Sequence, residues 1–196
     1  MGQVEQPEAD GGVTKSSDEQ DVLLAGEALE KATGLKTRRV PRTSAKTPDL
    51  ELLDEEGAVV AICEVKTATA NSDSPDLVRR VEGHIQKAVG QLNSNGRPPD
   101  VLRFLIIVNR DGMSDFGDLR EALTKHFFTD DGRAFRTRVP IRRLDFAIGE
   151  IDASGWVEPG TKFPVWVAHG EVGSDRAKRV QAMLRLDTIK PLDPRG

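Results

Sequence analysis

Apolar residues along this chain form two kinds of pattern. The first is the nearly unbroken run, VVAIC at 59–63 and VLRFLIIV at 101–108. A run of that length and type is a strand covered on both faces, as the inner strands of a helix-flanked sheet are. The second recurs at helical spacing. Val22, Ala25, Leu29 and Ala32 make one stripe, and Leu77, Val78, Val81, Ile85, Ala88 and Leu92 another. The first stripe predicts a helix from Asp18, with Ser17 or Asp18 as its cap, to Thr33, where Gly34 stops it. The second predicts a helix from Pro75 to Ser94, broken by NGRPPD. Strands are expected at Lys36–Val40, Asp49–Leu53 and Ala58–Lys66, with Asp54-Glu55-Glu56-Gly57 as the turn between the last two. Beyond Asn109 the pattern predicts a helix at Asp115–Phe127 and a strand at Ile141–Ile151. A turn follows at Asp152–Gly155, then strands at Trp156–Val157 and Lys162–Ala168, and a closing helix at Ser174–Leu186.

This order predicts an α/β (α+β) domain with a central mixed β-sheet, helices on both faces and extra C-terminal strands. Residues 1–17 lack periodicity and are expected to be a disordered acidic tail. Residues 18–110 hold the core, and 111–196 extend the same domain.

Charge sharpens this picture. The chain carries −4, while residues 1–30 alone carry −7, so the body is mildly basic. Two segments are basic without any acid: Lys36 to Lys46, with Arg38, Arg39 and Arg42, and Arg133 to Arg143, with Arg136, Arg138 and Arg142. Such segments either hold phosphates or protect solvated strand edges. There is no tyrosine for a tyrosine-nucleophile strand transfer, no Gly-x4-Gly-Lys-Ser/Thr phosphate loop and no Cys/His cluster for structural zinc. The single cysteine, Cys63, cannot form an internal disulfide, and no leader or membrane span is visible, so a cytoplasmic protein is expected.

The hairpin at 49–66 carries the candidate chemistry. If Glu55 and Glu56 are its two loop residues, Asp49 lies opposite Ile62 and points to the same side of the sheet as Glu64 and Lys66. A slip of one residue would send Asp49 to the other side. Two carboxylates and an ammonium at the end of an apolar strand are costly to bury unless they are paired or bind a metal. The bland alternative is an exposed hairpin end. Cys63 alternates away from Glu64 and is expected to pack as a small apolar residue, with Trp156 and Trp166 in the core and His126 at a helix end.

Pro48-Asp49 followed by Glu64-Val65-Lys66, set between amphipathic helices and apolar strands, resembles the PD-(D/E)xK, or restriction-endonuclease-like, nuclease superfamily. The resemblance covers about Asp18 to Asn109. It implies a metal-dependent nuclease, acting on DNA in preference to RNA and as an endonuclease in preference to an exonuclease. Mg2+, with Mn2+ as substitute, would be held by Asp49, Glu64 and the Val65 carbonyl, and Lys66 would orient the attacking water. Glu27 and Glu30 are the first-helix acids that some members add, with Asp21 behind them. On the helix after the lysine, Arg80, His84, Lys87 and Gln91 form a polar strip in which Gln91 would support catalysis. Arg38, Arg39, Arg42, Lys46, Lys87, Arg136 and Arg138 are the expected nucleic-acid contacts. The Gln-x3-Tyr motif of one branch is absent. A homodimer or a specificity-giving partner is compatible with this reading. The alternative is a non-catalytic nucleic-acid-binding or protein-interaction module on the same fold.

Overall fold

The computed structural model describes residues 17–41, 47–69, 77–93, 100–110, 112, 114–128, 133–136, 149–161, 164–169 and 173–186. The first helix, α1, spans Ser17–Thr33 and leads into strand β1, Lys36–Arg39. Strand β2, Leu50–Leu53, turns back into β3, Val59–Ala68, the longest strand. Helix α2, Leu77–Asn93, carries the chain back to β4, Leu102–Asn109. Then come α3, Phe116–Thr124, and a small separate hairpin of β5, His126–Phe128, and β6, Ala134–Arg136. Strands β7, Ala153–Val157, and β8, Val165–Ala168, precede the last described helix, α4, Asp175–Met183.

The main sheet has six strands in the order β1-β2-β3-β4-β7-β8. Its centre, β3-β4-β7, is parallel, and both flanks are antiparallel hairpin pairs. The two apolar runs are the two innermost strands, and Phe104 to Val108 are fully buried. Alternation along them feeds two cores. Ile62, Leu105 and Ile107 meet α2 and α3, through Val81, Ile85, Leu92, Leu119 and Ala122. Ala61, Cys63, Phe104 and Ile106 meet α1 and α4, through Val22, Ala25, Leu29 and Val180. Cys63 is buried and free, on the face opposite the α2 side, as the alternation predicts.

Several expected boundaries move. Strand β3 continues two residues past Lys66, because its parallel ladder with β4 runs from Ala61↔Leu102 to Ala68↔Asn109. The helix expected to reach Phe127 ends at Thr124. Lys125 takes the left-handed C-cap conformation, φ 60°, and the chain enters β5. His126 stands at that helix end, its Nδ1 2.7 Å from the Thr124 carbonyl.

The turn expected at Asp152–Gly155 is a correction: Ala153–Val157 is a buried strand parallel to β4. Gly155 there is not a turn residue. It leaves room for the Trp166 ring, which a Cβ at Gly155 would meet at 2.7 Å. Most of the expected strand at Ile141–Ile151, the start of the one at Lys162, and the tail before Ser17 lie outside the described residues. No described helix is long and apolar enough to cross a membrane.

Candidate active site

The site is built by the β2–β3 hairpin and closed from one side by α2. The loop has three residues, not two. The Asp54 N–H donates to the Ala58 carbonyl at 3.0 Å, and Gly57, at φ 84°, occupies the left-handed position that glycine adopts without strain. The Asp54 side chain locks this loop by accepting from the N–H groups of Glu56 and Ala58, at 3.0 and 2.8 Å.

A loop one residue longer than expected would by itself turn Asp49 to the wrong face. A β-bulge cancels the shift. Leu53 pairs with Val59 but Leu52 pairs with Ala61, so Val60 is an extra residue on β3. Val60 and Ala61 consequently both pack toward α1. Beyond the bulge Leu50 pairs with Cys63, and Asp49 comes next, beside Glu64 instead of Ile62. The register thus differs by two residues from the expected one, while the facing is the same.

Asp49 is fixed to the middle of β3 by main chain and side chain together. Its N–H donates to the Cys63 carbonyl at 3.0 Å, and its Oδ2 accepts from the Val65 N–H at 2.9 Å. Since N–H and C=O of one strand residue leave on the same side, the Val65 carbonyl also faces the β2 side, past the end of that strand.

Glu64 is almost fully buried, its side chain 1% exposed. Lys66 Nζ donates to Glu64 Oε1 and, at 2.6 Å, to Gln91 Oε1 from α2. Glu64 Oε2 is buried and no N–H or O–H group of the described residues donates to it; the Glu64 carboxyl can bond to the neighbouring Asp49 carboxylate only by holding a proton. Burial, and then the negative charge of Asp49, push the Glu64 carboxyl up to about 7, while Lys66 pulls in the other direction. The pocket therefore favours either a proton or a cation beside Glu64.

The other expected residues distribute as follows. Glu27 and Glu30 are exposed on α1, which packs on the opposite face of the sheet from α2. Glu30 accepts from the Thr37 N–H and hydroxyl, each at 2.8 Å. The buried acid of that helix is Asp21, which accepts from Thr67 Oγ1 at 2.6 Å and from Arg110 Nε at 2.5 Å. Arg38 is paired with Glu51 at 2.6 Å and Arg39 with Glu19 at 3.3 Å. Arg136 is exposed on β6, which belongs to the separate two-stranded sheet. Arg42, Lys46 and Arg138 lie outside the described residues. Lys87 is exposed on α2, one turn before Gln91.

Two features went unread in the sequence. One is the Asp21–Thr67–Arg110 link, joining three elements far apart in the chain. The other is a cavity of about 370 Å³ at the carboxyl end of β3, where Arg79 and Gly83 join the polar strip. Searches of protein-family models, of curated proteins and of solved structures find no match to this chain.

Proposed function

We propose that this protein is a metal-dependent phosphodiesterase, a nuclease acting on DNA in preference to RNA, with a restriction-endonuclease-like core over residues 18–110. One observation carries the reading. The Asp49 and Glu64 carboxylates share one face, and one buried Glu64 oxygen has no donor, while Lys66 is aligned beside them by Gln91. A buried carboxylate oxygen without a partner is costly, and a second carboxylate nearby raises that cost. A divalent cation between them offsets both.

The donor set suits Mg2+ or Mn2+, since Asp49, Glu64 and the Val65 carbonyl all offer hard oxygen. No group of three or more His, Cys, Asp or Glu gathers into a metal site among the described residues. Further ligands would be waters, which Mg2+ retains readily. When bound, such an ion supplies Lewis acidity and a more acidic water. The chain's own residues do the rest. Lys66, held by Glu64 and Gln91, presents a fixed positive charge for the negative charge that develops on the phosphate. The Val65 N–H holds Asp49 in place.

The test is cleavage of plasmid, linear and single-stranded DNA, and of RNA, with Mg2+ or Mn2+. Glu64→Gln and Lys66→Ala should each lower the rate by about 100-fold or more. Cleavage that persists in both variants would sink the assignment. Strand binding without cleavage by any form would favour the non-catalytic module.

A further inference from the structure

We infer that the cavity at the carboxyl end of β3 is a phosphate-binding groove that seats the backbone of a nucleic-acid strand next to the Asp49–Glu64 pair. The choice of a nucleic-acid strand, among phosphate carriers, rests on the nuclease reading above.

The cavity is about 370 Å³, with Thr67 and Thr69 on the strand side and Arg79, Arg80, Gly83, His84 and Lys87 on the α2 side. Pockets of this size commonly hold small ligands, roughly 300–1,000 Å³, but those are mostly apolar. Among the described lining residues of this one are two guanidiniums, an ammonium and an imidazole. The chain as a whole is at −4, so this concentration of positive charge is local and not a reflection of composition. The nearby buried acid, Asp21 behind Thr67, is neutralised by Arg110. Cations gathered along one groove attract an anion, and guanidiniums match phosphate oxygens in pairs.

Placement ties the groove to the site. Helix α2 runs antiparallel to β3, so its first turns stand over Thr69, where Arg80 donates to the Thr69 carbonyl at 3.3 Å. Its last turn stands over Lys66, where Gln91 is bonded. Lys87, which lines the cavity, is one turn before Gln91 on the same strip, and Gln91 bonds Lys66. Gly83 keeps the floor open: a Cβ built there meets nothing within 4 Å.

The experiment is fluorescence anisotropy on the full chain in EDTA, with a labelled single strand and a labelled duplex, across about 50 to 200 mM salt. Each phosphate contact removed should reduce the slope of log affinity against log salt by about 0.7 for the single strand and about 0.9 for the duplex. Arg80→Ala/Lys87→Ala should therefore flatten the slope by about two contacts. Gly83→Glu, which removes no cation and places a carboxylate in the cavity, should weaken binding at least about 10-fold. Circular dichroism melts confirm that both variants fold.

A wild-type slope in folded Arg80→Ala/Lys87→Ala, or wild-type affinity in folded Gly83→Glu, would overturn the inference. So would a lack of affinity for either strand, whether or not the protein binds inorganic phosphate or phosphatidylserine vesicles. Glu64→Gln separates this from the nuclease reading, because it should lose cleavage and keep the wild-type salt slope. If wild-type protein binds with the expected slopes but cleaves nothing with any metal, the groove stands and the nuclease reading falls.

Discussion

Asp49 Oδ2 accepts from the Val65 N–H beyond the last backbone pair of β2, and the same carboxylate raises the proton affinity of Glu64. These two roles separate by substitution. Asp49→Asn keeps an oxygen for the Val65 N–H and removes the charge, so stability should stay near wild type while cleavage falls. Asp49→Ala leaves that N–H without its acceptor, at a cost of about 1–3 kcal/mol. Urea melts of the two variants beside cleavage assays check this; equal stabilities would mean that the bond contributes nothing. In the proposed nuclease Gln91 would be a positioning residue, acting through the Lys66 ammonium that it bonds. Gln91→Leu should lower kcat by about 10-fold with little change in KM, against a much larger loss for Lys66→Ala. At this scale the sequence was readable for a definite reason. An unbroken apolar run marks β3 as a central strand, and strict alternation then sets Glu64 and Lys66 on one face and Cys63 on the other. What was not readable is the length of the Asp54–Ala58 loop and the bulge at Val60, because neither changes the apolar pattern. Each alone would have turned Asp49 away, and only their combination keeps it beside Glu64.

Strand β7 shows where reading by element fails. Asp152, Ser154 and Gly155 are ordinary turn residues, and the local sequence favours a turn. Tertiary partners override that preference. Buried Asp152 accepts from the Arg103 N–H at 2.7 Å and is paired with Arg176; Ser154 Oγ shares a 2.8 Å hydrogen bond with His169 Nε2; and the Trp166 ring lies over Gly155 from the neighbouring strand. Trp166 also meets Phe104, ring centroids 6.3 Å apart at 58°. None of these partners is local, so no window of the chain reveals them. Gly155→Ala should accordingly cost about 1–3 kcal/mol by pushing the indole out of its place. Trp166→Val frees that space, so the double variant should lose less than the sum of the two single losses. Thermal melts of the four proteins measure the coupling, and strict additivity would contradict the packing argument. Helix α2 offers the converse. Gly90 is exposed with open space around it, and Gly90→Ala should stabilise the protein by about 0.5–1 kcal/mol in the same melts.

Across the whole molecule, two buried groups give stability opposite dependences on pH. The Glu64 carboxyl is raised from 4.5 to about 7 by burial and by Asp49. Between those values the folded protein keeps a proton that the unfolded chain has released. Its stabilising contribution is complete below pH 4.5 and is lost as pH rises through 7. His169, buried beside Ser154, is lowered from 6.5 to about 4 by desolvation. Here the unfolded chain takes up a proton that the folded protein refuses, so stability present above 6.5 is lost as pH falls toward 4. Each effect amounts to at most about 3 kcal/mol. They oppose one another between about 4.5 and 6.5, so together they should add little slope there in EDTA. Substitution should expose each component. Glu64→Gln should leave a profile that rises with pH up to about 6.5, and His169→Gln one that falls up to about 7. Constant offsets from altered packing do not affect these slopes. Urea midpoints from pH 4 to 8 provide the measurement, and three parallel profiles would refute the assignment of both groups. Adding about 10 mM MgCl2 extends the comparison to the proposed ion. A cation that binds the ionised Asp49–Glu64 pair stabilises the folded state by mass action, and it does so most where Glu64 has lost its proton. The midpoint should therefore rise above pH 7 in wild type and stay unchanged in Glu64→Gln. An equal rise in both would mean that the ion binds elsewhere.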